Sequence, residues 1–536
     1  MLQRLPSDWT LRSRLLTVGV ALAVLVTGAT VALVRDGDDE SSRLAEEGPV
    51  AEAEDPRVTG SPGPTATTER GAGTLTDGQS TAPDVINPPA QPLDVLAWLR
   101  QPCSPRNTDQ TGVTNDTITI GQIVTDSNQI PQQLRPAHEG LQAFVKFVND
   151  RGGVCKRKIK LEYRNDNYNA AIHSADIRNL AGSALAFVGN ESVFDFLDYE
   201  QNPPFAPQVQ GGGGFVPDVG GLAFAYGRSQ SNWHAGVVGS VSPVLVGGGQ
   251  YRFFITEQQK KGTPCRKAGV VYLQEPTGAS EDQARVGRVS LAQSWGGNLG
   301  MSNTDLYSAT LIPPSTDLDY QNIVDQMVSD GMNCAFAYSD LESSVKLVKA
   351  MANRGVWPPS SCKKGDQCFR VAYVPLSAYD RKFIQDAGAA ANSVSTFIPH
   401  VPLTETSNEA MRVYLDAIKD IPGTRPSTFS VLGFASGLMF VESLRSCPEA
   451  PTRSCIMDSL RKMKDFTAGG LLGGTTPFRT TRVSYDRYGA FDWKWIFNRS
   501  TALRVVSSGG KLDFKRINPK SGFLNDTIHV ARGSPG

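Results

Sequence analysis

Polar residues and glycines follow the apolar runs that we interpret as strands in the first half of the chain. Hydroxyl groups and backbone amides at such positions can hold a carboxylate or an amide of a small solute, and glycine lets a ligand approach the backbone closely. We therefore predict that they bind a ligand. A turn or helix cap for Asp126 and Asn190, and a flexible loop for the glycines, are the alternatives. The predicted residues are Thr125, Asp126, Asn190, Glu191, Ser192, Gly211, Gly212, Gly213 and Ser229.

Tyrosines take the corresponding positions in the second half of the chain. Tyr272, Tyr338 and Tyr373, together with Ser339, lie at or next to the ends of predicted strands. A tyrosine offers apolar area and one hydroxyl group, which suits a surface that closes over a ligand. We predict that these residues form the second wall of a binding site. Packing between strand and helix is the alternative for the tyrosines.

The stretch from Ile118 to Asp166 supplies the elements that position the first group. ITIGQIVTD predicts a buried strand, RPAHEGLQAFVKFVND an amphipathic helix, and KIKLEYRND a second strand. Parallel strands need such a helical crossover, and ligands of open parallel sheets bind at the carboxyl ends of the strands. The pattern restarts at AGVVYLQE, and helical segments return from about Asn408. The chain is therefore predicted to be an α/β protein with two lobes joined by several crossings.

Composition separates the globular part of the chain from its first ninety residues or so. The 536 residues carry 53 basic and 53 acidic side chains, a balance that argues against a general nucleic-acid or anionic-membrane binder. Leu15–Val34 is free of charge, is long enough to cross a bilayer, and follows three arginines. We predict an anchor at 1–35 that puts the amino terminus in the cytoplasm and the rest on the extracellular face of the cell membrane. A cleaved signal peptide, and hence secretion, is the alternative. Residues 36–92 are rich in Pro, Gly and Thr, and this composition predicts a disordered tether.

Cysteine usage fits an oxidising compartment. An even number of cysteines outside the cytoplasm predicts disulfides, with buried free thiols as the alternative. Cys265 and Cys334 each precede a strand and would meet if the strands are neighbours. The absence of a CxxC pattern makes a zinc site improbable. The candidate pairs are Cys103–Cys155, Cys265–Cys334, Cys362–Cys368 and Cys447–Cys455.

Motifs of catalysis and nucleotide binding are missing from the sequence. It contains no H-E-x-x-H, no G-x-S-x-G and no P-loop lysine, and the glycine run at 211–214 lacks the G-x-G-x-x-G pattern. We predict that the protein is not an enzyme and uses no cofactor.

Three blocks of sequence carry a family resemblance. They are the opening strand–helix–strand unit, MNCAFAYSDLESSVKLVKAMANRGVWPP, and the late segment from PSTFSVLGFASGLMFVESL to LRKMKDFTAGGLLGGTTPF. In order and spacing they resemble the type I periplasmic solute-binding proteins of ABC importers, the leucine/isoleucine/valine-binding group, over about residues 113 to 515. The anchor, in place of a lipid anchor, and the tether depart from that family.

The resemblance implies two Rossmann-like lobes joined by crossover segments, a small-molecule solute in the cleft between them, hinge closure, and an ABC permease as partner. On this basis residues 93–237 and 377–475 form the first lobe, 238–376 and 476–520 the second, and 521–536 a tail.

Amino-acid binders of that family hold the ligand ammonium with carboxylates, which are missing from this sequence around Ser229 and after Tyr373. An ammonium buried without a counter-charge is costly, so a neutral amide, an organic acid or another small polar solute is at least as well favoured as a free amino acid. A membrane-anchored ectodomain that senses a ligand and signals to a separate partner is the alternative function.

Overall fold

The fold is built around two sheets whose central strands are parallel, as shown by a computed structural model. The strands are β1 Val85–Ile86, β2 Thr117–Val124, β3 Lys158–Asn165, β4 Ala186–Val188, β5 Asp218–Val219, β6 His234–Ala235, β7 Leu245–Gly247, β8 Ala268–Leu273, β9 Leu306–Leu311, β10 Cys334–Tyr338, β11 Val371–Tyr373, β12 Ser395–Ile398, β13 Thr476–Phe478, β14 Lys494–Ile496, β15 Arg499–Ser508, β16 Lys511–Arg516, β17 Phe523–Asn525 and β18 Ile528–Val530. Two separate antiparallel pairs, β7 with β18 and β13 with β14, lie outside these two sheets.

Helices cover the faces of both sheets. The α-helices are α1 Arg135–Asp150, α2 Ala170–Ala181, α3 Gly249–Lys260, α4 Asp317–Ser329, α5 Leu341–Asn353, α6 Arg381–Ala387, α7 Glu409–Lys419, α8 Thr428–Ser443 and α9 Arg453–Lys462. Short 3-10 turns occur at Pro359–Ser361, Leu376–Ala378, Gly388–Ala391 and Ala468–Gly470.

The residues that the structure describes all fall within the unit Asp77–Gly536. They are 85–86, 97–127, 134–195, 216–222, 228, 233–237, 245–247, 249–274, 284, 306–311, 315–362, 367–463, 466–473, 476–478, 494–496, 499–517, 523–525 and 528–530.

The first sheet has the order β3-β2-β4-β5-β6, and every pairing in it is parallel. Seven of the eight residues of β2 are buried, as expected of a central strand that is covered on both faces. The core of this lobe joins Ile118 and Val188 of the sheet to Phe434 and Leu460 of the late helices α8 and α9. The chain therefore returns to the first lobe after the second sheet has begun, as predicted.

Helices α1 and α8 pack closely because small residues meet at their crossing. A Cβ atom on Gly140 would lie 1.9 Å from the carbonyl oxygen of Ser430, and one on Gly433 would lie 2.0 Å from that of Ala137. Nearly all of α8 is buried, and Ser427 and Ser430 form a capping box at its start. This contact fixes the amino ends of α1 and α8 relative to each other.

The second sheet has the order β9-β8-β10-β11-β12 with parallel pairings, and β15 then joins β12 antiparallel. The sheet continues through β17 to β1, so Val85–Ile86 of the predicted tether pairs with Phe523 and Leu524 of the predicted tail. The two parallel sheets and the returning helices confirm the predicted fold class. The lobe boundaries assigned from the sequence stay predictions.

All eight cysteines are paired as predicted from the sequence. Cα–Cα distances range from 5.1 Å for Cys103–Cys155 to 6.6 Å for Cys447–Cys455, within the range that a disulfide allows. Cys265–Cys334 joins the starts of the neighbouring strands β8 and β10, and Cys362–Cys368 closes a short loop. The prediction of disulfides is confirmed.

The predicted anchor Leu15–Val34 lies outside the described residues. Among the helices of the described ranges, none is both long enough and apolar enough to cross a membrane.

Candidate functional site

At the carboxyl ends of β2, β3 and β4, the hydroxyl groups of two residues that were predicted to bind a ligand donate to the same carboxylate. Thr125 Oγ1 donates a hydrogen bond to Asp166 Oδ2 at 3.0 Å, and Ser192 Oγ donates to the same oxygen. The side chains of all three residues are fully buried. Thr125 and Ser192 thus lie together at the predicted strand edge, and both hydroxyl groups already have protein partners.

Asn190 and Glu191, which follow β4, also direct their side chains into the protein. Asn190 Oδ1 accepts from the Ile123 amide at 2.9 Å, and Glu191 Oε1 accepts from the Leu222 amide at 2.8 Å. Glu191 Oε2 has no hydrogen-bond partner among the described residues. Burial raises the pKa of Glu191 well above its ordinary value, which favours the protonated form of this carboxyl group. These two side chains link neighbouring strands, and their contact with a ligand stays a prediction.

Arg228 is buried and contacts two acidic residues that lie outside the segment 228–233 in the sequence. Arg228 Nη1 lies 2.7 Å from Asp195, and its Nε and Nη2 lie 2.8 and 2.9 Å from the two oxygens of Asp218. His234 Nδ1 lies 2.9 Å from Asp218 as well. Burial alone would raise the pKa of Asp218, but Arg228 and His234 hold it well below its ordinary range. For Asp195 burial prevails and raises the pKa to about 6.

Sequence separation explains why this network was missed. Asp195 and Asp218 lie 33 and 10 residues from Arg228 in the chain, and the ends of different strands bring them together. Both acids are paired with Arg228 inside the protein. Neither carboxylate is therefore available to bind the ammonium group of a ligand. The contacts of this network join the loop after β4 to β5, to the segment between β5 and β6, and to the start of β6.

Among the predicted first-lobe residues that the structure describes, Asp126 retains exposure, at 24% of its side chain. Its amide donates to Asn165 Oδ1, and its carboxylate lies 3.9 Å from Arg135, the first residue of α1. Arg135 lines a polar cavity of about 320 Å³ at this edge of the sheet. The lining residues are Arg135, Pro136, Glu139, Pro422, Gly423 and Arg425.

One residue of the cavity wall contacts an element that packs on the second sheet. Arg425 precedes α8, and its Nη2 lies 3.5 Å from Asp380 Oδ2, at the start of α6, whose Phe383 belongs to the core of the second sheet. Arg135 Nε lies 3.3 Å from Glu139 one turn further along α1. The cavity was not predicted, although the position of Arg135 in the first helical turn after a strand end was a usable signal.

The tyrosines of the second lobe lie in its core. Tyr338 and Tyr373, each 6% exposed, belong to an aromatic cluster with Phe254 and Phe397, and Tyr272 packs against it. Burial raises the pKa of Tyr338 well above its ordinary value. This placement agrees with the alternative given for the tyrosines, which is packing in the core. Contact of these rings with a ligand stays a prediction.

Ser339 lies beside α5, where its hydroxyl is 3.1 Å from that of Ser344. Gly211, Gly212, Gly213 and Ser229 fall outside the described residues. A cluster of residues able to ligate a metal ion does not occur in the described part of the chain.

A family model described as "Periplasmic binding protein" matches residues 117–483, more than half of the chain. The chain belongs to this family. The resemblance found in the sequence is therefore confirmed, and the protein is a binding protein rather than an enzyme. A search of curated protein sequences gave no match.

Solved structures of periplasmic binding proteins share the fold at low sequence identity. The fatty acid ABC transporter substrate-binding protein from Thermomonospora curvata is 15% identical, with a TM-score of 0.56, over 78% of this chain and 95% of that chain. The branched-chain amino acid transporter substrate-binding protein LivJ from Streptococcus pneumoniae, in complex with isoleucine, is 16% identical with a TM-score of 0.52, over 75% of this chain and 100% of that one. An ABC transporter solute-binding protein from R. palustris, in complex with 4-hydroxybenzoate, is 14% identical with a TM-score of 0.56, over 77% of this chain and 98% of that one.

Proposed function

We propose that the protein captures a small polar solute in the cleft between its lobes, outside the cytoplasm, and delivers it to an ABC-type importer. The observation that supports this most directly is the match of the periplasmic binding protein family across both lobes. The lobes present the carboxyl ends of two separate parallel sheets, which is where open α/β sheets bind ligands. Three structural neighbours are named as substrate-binding or solute-binding proteins of transporters.

The chemistry of the first sheet edge favours a solute other than a free α-amino acid. The buried acids Asp195 and Asp218 both pair with Arg228, and Asp218 also faces His234, so both carboxylates already have cationic or hydrogen-bonding partners within the protein. The neighbours are named with ligands as different as a fatty acid, isoleucine and 4-hydroxybenzoate, so the shared fold does not select one class.

The same proposal places the protein at the cell membrane. An uncleaved Leu15–Val34 segment would hold the binding lobes near the permease, and residues 36–92 would serve as a tether. Amino-terminal sequencing of the mature protein tests this part. A mature chain that begins near Thr30 would show cleavage and contradict the anchor.

A thermal-shift screen of the full chain against small solutes tests capture. A ligand at a hundred times its dissociation constant adds roughly 2.7 kcal/mol of stability, which a melting experiment detects. Uptake of the identified solute by cells with and without the gene then tests delivery. Loss of uptake supports import, whereas unchanged uptake together with a lost transcriptional response would support the sensing alternative.

A further inference from the structure

Two arginines that are distant in sequence line the cavity at the amino end of α1. Arg135 opens α1, and Arg425 lies two residues before the cap of α8. The close packing of α1 on α8 holds them at the same edge of the first lobe, and both line the cavity of about 320 Å³. That volume suits a small solute.

The contacts of these arginines are long compared with the bidentate pair that Arg516 forms with Glu405. Arg135 lies 3.3 Å from Glu139 and 3.9 Å from Asp126, and Arg425 lies 3.5 Å from Asp380. By contrast, Arg516 binds both oxygens of Glu405, at 2.6 and 2.8 Å. A guanidinium group has five N–H donors, so Arg135 and Arg425 retain donors for a ligand at the cavity wall.

The wall of the cavity favours an anion over a cation. Its charged residues are two arginines and one acid, Glu139, and burial raises the pKa of that acid so that its charge is disfavoured. The amino ends of α1 and α8 add positive potential at the same place. His138, the next titratable residue of α1, is neutral because burial and Arg135 lower its pKa to about 4. Asp126 and Asp380 each lie beside one arginine rather than in the lining.

We infer that this cavity binds the carboxylate of a small organic acid between Arg135 and Arg425. Guanidinium groups form strong, bidentate hydrogen bonds with carboxylates, and Arg425 also contacts Asp380 at the start of α6, which packs on the second sheet. The inference rests on the proposed solute-binding function and names the class of solute.

Matched pairs of acids and amides test the inference on the full chain. The probes are 4-hydroxybenzoate with 4-hydroxybenzamide, isoleucine with isoleucinamide, isovalerate with isovaleramide, and inorganic phosphate. They are included in the thermal-shift screen beside neutral sugars. Each hit is then titrated by calorimetry. We expect at least one acid to bind and its amide to bind about tenfold more weakly or worse. Binding of phosphate alone would identify an oxyanion site that does not take carboxylates and would overturn the organic-acid assignment.

Three variants locate the site of binding. Arg135→Gln and Arg425→Gln should each weaken binding of the acid about tenfold or more, because each removes a charge-assisted hydrogen bond. Arg412→Gln, on the exposed side of α7 in the same lobe, is the matched control and should bind as tightly as the parent. Circular dichroism and melting temperature confirm that all three variants are folded.

The outcomes separate this inference from the function it rests on. If a solute binds but its acid and amide forms bind equally, or both arginine variants retain full affinity, the cavity assignment is wrong and the capture of a solute stands. If no probe, sugar or other solute of the screen stabilises the parent chain, both are wrong.

Discussion

The edges of the two sheets share a topology and differ in chemistry. At the first edge, Arg228 and the hydroxyl groups of Thr125 and Ser192 are held by buried carboxylates. At the second edge, Tyr338 and Tyr373 lie in an aromatic cluster. The fold therefore determines where strands end, while the residues at those ends decide whether charge or packing holds the edge. Substitutions at the two edges should consequently destabilise the protein for different physical reasons.

The largest loss of stability should follow from removing the cation of the first edge. Arg228→Met leaves Asp195 and Asp218 buried without their shared partner, which typically costs about 3–5 kcal/mol. Denaturant unfolding of the full chain measures the change. Arg354→Met is the control, since its pair with Asp325 is half-exposed and such pairs contribute about 0–1 kcal/mol. Equal effects of the two substitutions would show that the buried network does not stabilise the first edge.

A substitution at the second edge should destabilise the fold by creating a cavity rather than by leaving a charge unpaired. Tyr338→Ala removes a ring from the cluster and should cost about 3 kcal/mol or more. Tyr338→Phe keeps the ring and should cost roughly 1 kcal/mol or less. A Tyr338→Ala variant that unfolds like the parent but loses ligand affinity would instead support the predicted role of this residue as a lid over the ligand.

The sequence was sufficient to predict the two lobes and the disulfides because both depend on local patterns. The apolar run of β2 and the periodicity of α1 are visible directly, and Cys265 and Cys334 both lie near the starts of strands that turn out to be neighbours. The sequence did not show which side of the sheet the tyrosine side chains face. Alternate residues of a strand face opposite sides, and the ends of β10 and β11 place Tyr338 and Tyr373 on the side of Phe254, with the larger core that includes Val348 and Met351 on the other.

The charged groups could not be predicted because their partners are distant in sequence. Arg135 and Arg425 meet only because α8 returns to pack on α1, and the small residues that permit this contact carry no charge signal. Glu191 was predicted to bind a ligand, and this stays a prediction; the structure places its Oε1 within hydrogen-bond distance of the Leu222 amide. A pattern of strand ends does not show in which direction the side chain of such a residue points.

The pH dependence of stability should identify the neutral carboxyl group of the first edge. Burial raises the pKa of Glu191 well above 4.5, so the folded protein retains a proton that the unfolded chain releases. The free energy of unfolding therefore falls as pH rises from the unfolded pKa toward the folded one. Glu191→Gln removes this contribution. We expect the two proteins to be similar below pH 4.5 and the variant to become progressively more stable than the parent above it. Parallel pH profiles would mean that Glu191 is ionised in the fold.

The smallest effect on stability is expected where the first edge meets the second lobe. Asp380→Asn removes the charge that faces Arg425, whereas an asparagine oxygen can still accept from the Lys382 amide and cap α6. We expect a change of about 0–1 kcal/mol, together with a larger radius of gyration in small-angle scattering because an attraction between the lobes is lost. Asp386→Asn is the matched control on the same helix, since Asp386 pairs with Lys382 within α6. If both variants scatter alike, the Arg425–Asp380 pair does not hold the lobes together. The charge at this junction would then serve the ligand alone.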